Sequence, residues 1–177
     1  MQMISFIIIG TLLVAFQTTV LRAIPTWLGT PDLVFILVSF LAYRFALLKG
    51  LCVVFILGWM MDVVSGIYLG TYLLEYLLYF TILHTLTVNS PIKESAYQIP
   101  LVGLSYFVIQ FALYFVLSLM VEEGLPLWSW TRVLRETILL TVATIPCFLV
   151  FNSFNEFILK RGSVRRSRRK RAGNTFR

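Results

Sequence analysis

Two carboxylates, Asp62 and Glu75, lie about one turn inside the ends of apolar runs. An unpaired charge costs about 2.5–3.5 kcal/mol at the bilayer centre, and carboxylates at this shallower depth are still costly unless paired or hydrated. The basic residues expected at the same level are Arg22, Arg132 and Arg135. One expectation is a polar site opening to the outer leaflet, built from Asp62, Glu75, Arg22 and Arg135. The other is an interfacial pair that snorkels to water and fixes helix packing.

Other polar residues repeat at helical spacing. Gly58, Asp62, Ser65 and Gly66 share one side of a helix. Small residues there let helix backbones approach closely in lipid, within the chain or against a partner. Tyr68, Tyr72, Tyr76 and Tyr79 form a stripe suited to packing, or to a lipid or substrate groove. Gln110 falls in mid-helix with Gly103, Phe107 and Tyr114 on its face, and Asn152, Asn155 and Glu156 form a further polar face. A mid-membrane amide most often bonds a neighbouring helix.

Catalytic and metal chemistry has little to draw on. His84 is the lone histidine and faces away from Glu75. Cys52 and Cys147 stand apart inside apolar runs and read as small core residues. No HExxH, phosphate-binding loop, dinucleotide fingerprint or serine nucleophile elbow is present. No catalytic residue, metal or cofactor is therefore expected.

The elements that must position these residues are apolar helices. The hydrophobic fraction is 59% and only 13% of residues are charged, far from the balance of a soluble domain. The fold class expected is all-α, a polytopic transmembrane bundle over residues 1–159. Six spans are read: Met3–Leu21, Asp32–Leu48, Leu51–Ser65, Gly70–Val88, Ile99–Val121 and Val133–Ile158. Arg44, Lys49 and Gly50 mark the turn between the short second and third spans. A re-entrant hairpin there would leave five crossings. The first segment lacks the basic start and small-residue cleavage site of a secretory signal, and reads as a mature span.

Charge sets the orientation. Residues 160–177 hold nine of the 15 basic residues and no acid, so the net +7 belongs to this tail. The tail comprises Lys160, Arg161, Arg165, Arg166, Arg168, Arg169, Lys170, Arg171 and Arg177 and is expected to be disordered in the cytoplasm. Beside a membrane span it reads as a topology signal with affinity for anionic lipid rather than nucleic acid. With Arg44, Lys49 and Lys93 it puts twelve basic residues inside against three outside, Arg22, Arg132 and Arg135. Both termini are thus expected in the cytoplasm, with Trp27, Trp128 and Trp130 at the outer interface.

The run Gly58-Trp-Met-Met-Asp62-Val-Val-Ser65-Gly66-Ile-Tyr-Leu69-Gly70 resembles the rod-shape-determining MreD family. Thr30-Pro31-Asp32 opens the second span where that family carries a Pro and a polar residue, and Gln17, the chain length and the basic end also look like MreD. The residues matching the pattern are Pro31, Asp32, Gly58, Asp62, Ser65, Gly66, Leu69 and Gly70. The resemblance implies a non-enzymatic component of the bacterial inner membrane, serving cell elongation and peptidoglycan synthesis. It implies a single-span MreC-like partner, in an assembly with MreB, RodA and a penicillin-binding transpeptidase. The competing expectation is the substrate-binding subunit of an energy-coupling-factor vitamin transporter, also a small six-helix protein with an outward site. Its usual Ala-x-x-x-Ala docking pattern is missing from Ile4–Val20. A lipid-modifying membrane enzyme ranks last, since no acid-rich metal motif is found.

Overall fold

The computed structural model describes residues 2–20, 29–66, 70–89, 95–120 and 128–173, with side chains described as far as Lys160. Six helices occur among them: α1 Gln2–Thr19, α2 Leu33–Arg44, α3 Leu47–Ser65, α4 Thr71–Asn89, α5 Ser95–Met120 and α6 Trp130–Gly173. Four are long and apolar enough to cross a membrane: α1, α3, Tyr97–Val116 of α5 and Trp130–Lys160 of α6. The chain is thus an all-helical protein with the helices of a membrane bundle.

The helices run alternately up and down. Gln17 of α1 meets Asp32 at the start of α2, whereas Phe6 meets Phe45 at its end. Ser105 of α5 meets Tyr79 of α4 and Gln110 meets Glu75, so these two are antiparallel. Arg44 at the end of α2 reaches Asn152 of α6. Gln2 of α1 reaches Asn155 of α6, which places the N-terminal end of α1 beside the later part of α6.

At the centre lies α2. Its sequence LVFILVSFLAYR is apolar all round, and every residue from Val34 to Ala42 is buried. Its 12 residues span about 18 Å at 1.5 Å per residue, short of the ~30 Å hydrocarbon thickness. Neighbouring helices enclose it: α4, α6 and α1 pack on it, while α3 packs chiefly on α4. Phe35 stacks on Tyr79 with centroids 3.9 Å apart, and Tyr106 meets the same ring edge-on.

The turn after α2 differs from expectation. It falls at Phe45–Ala46, both extended, directly after Arg44 but ahead of Lys49 and Gly50, which lie inside α3. The third helix is therefore 19 residues long and not short. Phe45 leaves the helix to bury its ring against Phe6, 5.2 Å away edge-on. Gly50 sits inside α3, flush against the Phe80 ring of α4, where a Cβ would clash. The glycine is a packing notch and not a turn residue.

Two more corrections concern exposure and length. Cys52 is exposed on α3 rather than part of the core, and Cys147 is half-buried. The last helix continues to Gly173, into the segment expected to lack structure. Pro100 also lies within α5, five residues after its start at Ser95.

Gly58 permits a close backbone approach between α3 and α4. A Cβ there would lie 2.8 Å from the Cα of Leu73, a backbone atom that cannot swing aside. Gly66 differs: it ends α3 in the left-handed region at φ 64°, with open space around it. Gly58→Ala should therefore destabilise the protein by about 1–3 kcal/mol through overpacking. Gly66→Ala should cost only the roughly 1–2 kcal/mol of a left-handed non-glycine residue. Thermal unfolding in detergent measures both, and a wild-type midpoint for Gly58→Ala would overturn the close approach.

Candidate functional site

The polar residues gather at the Asp32 end of the bundle, and most of them are bonded to helix starts. A helix begins with N–H groups that have no partner within the helix. In an apolar surrounding each unpaired group costs about 1–3 kcal/mol. Two helices that start at this end, α2 and α4, have these groups covered by side chains.

Asp32 is the N-cap of α2. One of its carboxylate oxygens accepts from the Phe35 N–H at 3.0 Å. The same oxygen accepts from Gln17 Nε2 at 3.3 Å, and the other accepts from the Tyr76 hydroxyl at 2.7 Å. Gln17 also turns its own carbonyl oxygen to the N–H of Leu33 at 3.1 Å and of Val34 at 3.4 Å. So α1 and α4 are both tied to the start of α2. Pro31 precedes the cap and is half-buried. Proline fixes the extended approach to a helix and discourages an earlier start.

Asp62 does the same for α4 from the last turn of α3. One oxygen accepts from the Tyr72 N–H at 2.8 Å and the other from the Leu73 N–H at 3.1 Å. Its charge also complements the positive end of the α4 dipole. Gly58 lies one turn back on the same face, and its lack of a side chain lets α4 come close enough for these bonds. The Ser65 hydroxyl and the Gly66 N–H both donate to the Asp62 carbonyl, closing α3. Gly70 takes φ 98°, a value that favours glycine, just before α4 begins. Leu69 and Tyr68 lie outside the described residues.

Glu75 is held by less. It is 3% exposed, and its bond is from Gln110 Nε2 of α5 at 3.3 Å. The next inward-facing residue of the stripe, Tyr79, is buried and shares hydrogen bonds with Ser39 of α2 at 2.7 Å and Ser105 of α5 at 3.3 Å. The stripe Tyr72, Tyr76 and Tyr79 thus carries hydroxyls as well as packing.

Among the described residues no hydrogen bond or ion pair joins Asp62, Glu75 and Arg135 of the expected outer site. Asp62 and Glu75 are both buried, at 4% and 3% exposure, so neither snorkels to water. They bond to different helices and not to each other. Arg135 is exposed, beside Gly29 in the approach to α2. Arg22 lies outside the described residues. Arg132 pairs within its own helix with Glu136 at 3.0 Å.

At the opposite end, Lys160 is exposed, and the side chains of Arg161, Arg165, Arg166, Arg168, Arg169, Lys170 and Arg171 lie outside the described residues. His84 contacts the Ala42 carbonyl through Nδ1 at 3.0 Å and stacks on Phe80. Among the described residues no three His, Cys, Asp or Glu side chains come together as a metal site.

Sequence reasoning placed Asp32 and Asp62, and it missed the capping role of Gln17. The signal for Gln17 was a lone amide near the end of an otherwise apolar helix. Asp62→Leu should free the Tyr72 and Leu73 amides, costing about 1–3 kcal/mol for each donor left buried and unpaired. Asp62→Asn keeps one accepting oxygen and should lose about half as much. Hydrogen exchange reads this directly: both amides should exchange at least ten-fold faster in Asp62→Leu. Unchanged exchange would remove Asp62 from the cap. No family model matches the sequence, and no curated protein or solved structure matches it either.

Proposed function

We propose that this chain is a non-enzymatic scaffold of the bacterial inner membrane, acting in the cell-elongation machinery in the manner of the MreD family. It crosses the membrane six times with both ends in the cytoplasm. It works by presenting helices to a single-span MreC-like protein, and through that partner to MreB, RodA and the transpeptidase. The observation that carries this reading is the pair of bonds from Asp62 to the Tyr72 and Leu73 amides. They make the family-like run from Gly58 to Gly70 a structural joint, with its acid used to start a helix. A residue bonded in this way is not free to act on a substrate. Gln17 and Asp32 follow the same pattern at the start of α2.

The orientation rests on the twelve-to-three distribution of basic residues between the two sides. The alternating helices agree with it, since Arg44 and the late part of α6 meet at one end of the bundle. A fluorescent protein fused to the C-terminus should be bright and an alkaline phosphatase inactive; the reverse pattern would overturn the orientation. The tail is proposed to rest on anionic lipid, at about 1 kcal/mol per basic residue near the surface. Replacing Arg165, Arg166, Arg168 and Arg169 with Gln should weaken binding of a tail peptide to anionic vesicles. Equal binding of the unaltered peptide to neutral vesicles would refute the electrostatic account.

A second reading, the substrate-binding subunit of an energy-coupling-factor transporter, is favoured by one observation. Glu75 is a buried carboxyl with a single amide partner among the described residues. Co-purification in mild detergent separates the two. A single-span protein with a large periplasmic domain supports the scaffold, and a coupling subunit with ATPases supports the transporter. In rod-shaped cells Gly58→Leu and Asp62→Leu should reduce recovery of the single-span partner and round the cells. Asp62→Asn should be milder. Normal shape and partner recovery in all three would refute the scaffold role of this joint.

A further inference from the structure

The end of the bundle away from Asp32 holds a cavity of about 510 Å³ between α1, the α2–α3 turn and α6. Its walls carry two cations, Arg44 and Lys49, from either side of the turn. They also carry two amides, Gln2 and Asn155, and the apolar surfaces of Met3 and Phe45. No acidic residue among the described residues lines it.

The groups that line it are held in place yet have donors to spare. One guanidinium nitrogen of Arg44 donates to Asn152 Oδ1 at 2.9 Å, which fixes the side chain and leaves its other N–H groups available. Lys49 is exposed, and its ammonium meets no acceptor among the described residues. Asn155 is 8% exposed. Its Oδ1 accepts from Gln2 at 3.4 Å, while its Nδ2 donates to no acceptor among the described residues. An amide donor with no acceptor among the described residues, on the wall of a cationic cavity, suits an anion. The first turn of α3 starts beside it with no side chain capping it, which adds positive potential. Glu156, the acid on the same stretch of α6, accepts from Asn152 at 3.5 Å and is not part of the wall.

We propose that this cavity binds the phosphate of an anionic phospholipid. Arg44 and Lys49 supply the charge and Asn155 a directed hydrogen bond. The lipid, rather than a water-borne anion, is indicated by the surface next to the opening. Ile4 is 62% exposed close to Gln2, and Leu48 is 76% exposed next to Lys49. Apolar side chains that open, beside cations, at the end of membrane-length helices match an acyl chain joined to its headgroup. The site's last described wall residue is Leu159, just before the tail begins. It does not depend on which reading of the bundle's function holds.

Native mass spectrometry of the full-length protein, loaded with equal phosphatidylglycerol and phosphatidylethanolamine, tests it. The unaltered protein should retain a phosphatidylglycerol adduct that excess inorganic phosphate does not displace. Lys49→Gln should lower its retention roughly five-fold, the effect of one basic residue near an anionic surface, and Arg44→Gln with Lys49→Gln roughly thirty-fold. Phosphatidylethanolamine should be unaffected. Lys49 makes no bond among the described residues, so its replacement leaves the fold intact even if the double variant does not survive purification. The full-length variant with Arg165, Arg166, Arg168 and Arg169 replaced by Gln should keep the adduct. Loss of the adduct in that variant, with none in Lys49→Gln, would move the site to the tail and overturn the proposal. Displacement by inorganic phosphate would make it a free-anion site, and displacement by an acidic peptide a protein-docking site; either result would overturn the lipid.

Discussion

Helix starts inside an apolar bundle impose the constraint on which this structure depends. Their first N–H groups have no partner in the helix and no water to turn to. Here the preceding element supplies the acceptors. Gln17 and Asp32 serve α2, and Asp62 serves α4. The Gln17 and Asp62 bonds also join two helices, so covering a backbone group and fixing the position of a neighbour are there one event.

The rest of the packing follows from those anchor points. Once Asp62 holds the start of α4, the two helices must lie close, and Gly58 is the residue that permits it. Gly50 repeats the device further along α3, against Phe80. Held by Gln17, Asp32 and Tyr76 at one end, α2 can be short and fully enclosed, because its exposed backbone groups have been satisfied by neighbours. The tyrosines of α4 then extend the same connection inward, with Tyr79 bridging Ser39 and Ser105.

Charge divides the molecule along the same axis. Asp32, Asp62 and Glu75 at one end are buried and given to amide and hydroxyl donors. Cations at the Arg44 end border an open cavity and keep unused donors. Buried acids bound to backbone amides serve architecture, whereas basic groups at a membrane surface remain available for anionic lipid.

Much of this was legible from the residues alone. Long apolar stretches separated by short polar ones required a helical membrane bundle, because only helices and closed barrels satisfy the backbone in lipid. Gly66 marked the end of α3, and the spacing of Gly58, Asp62 and Ser65 put them on one face. What occupies that face was a tertiary matter. Helices that are apolar nearly all round show no strong inward side, so their sequence does not say which neighbour each will meet. For that reason Gly50 read as a turn and became a notch, Cys52 read as core and became exposed, and Asp62 and Glu75 read as one site and became bonds to separate helices. The residue types established which groups needed partners, and only the packing of α1, α3 and α5 against α2 and α4 decided which partners they found.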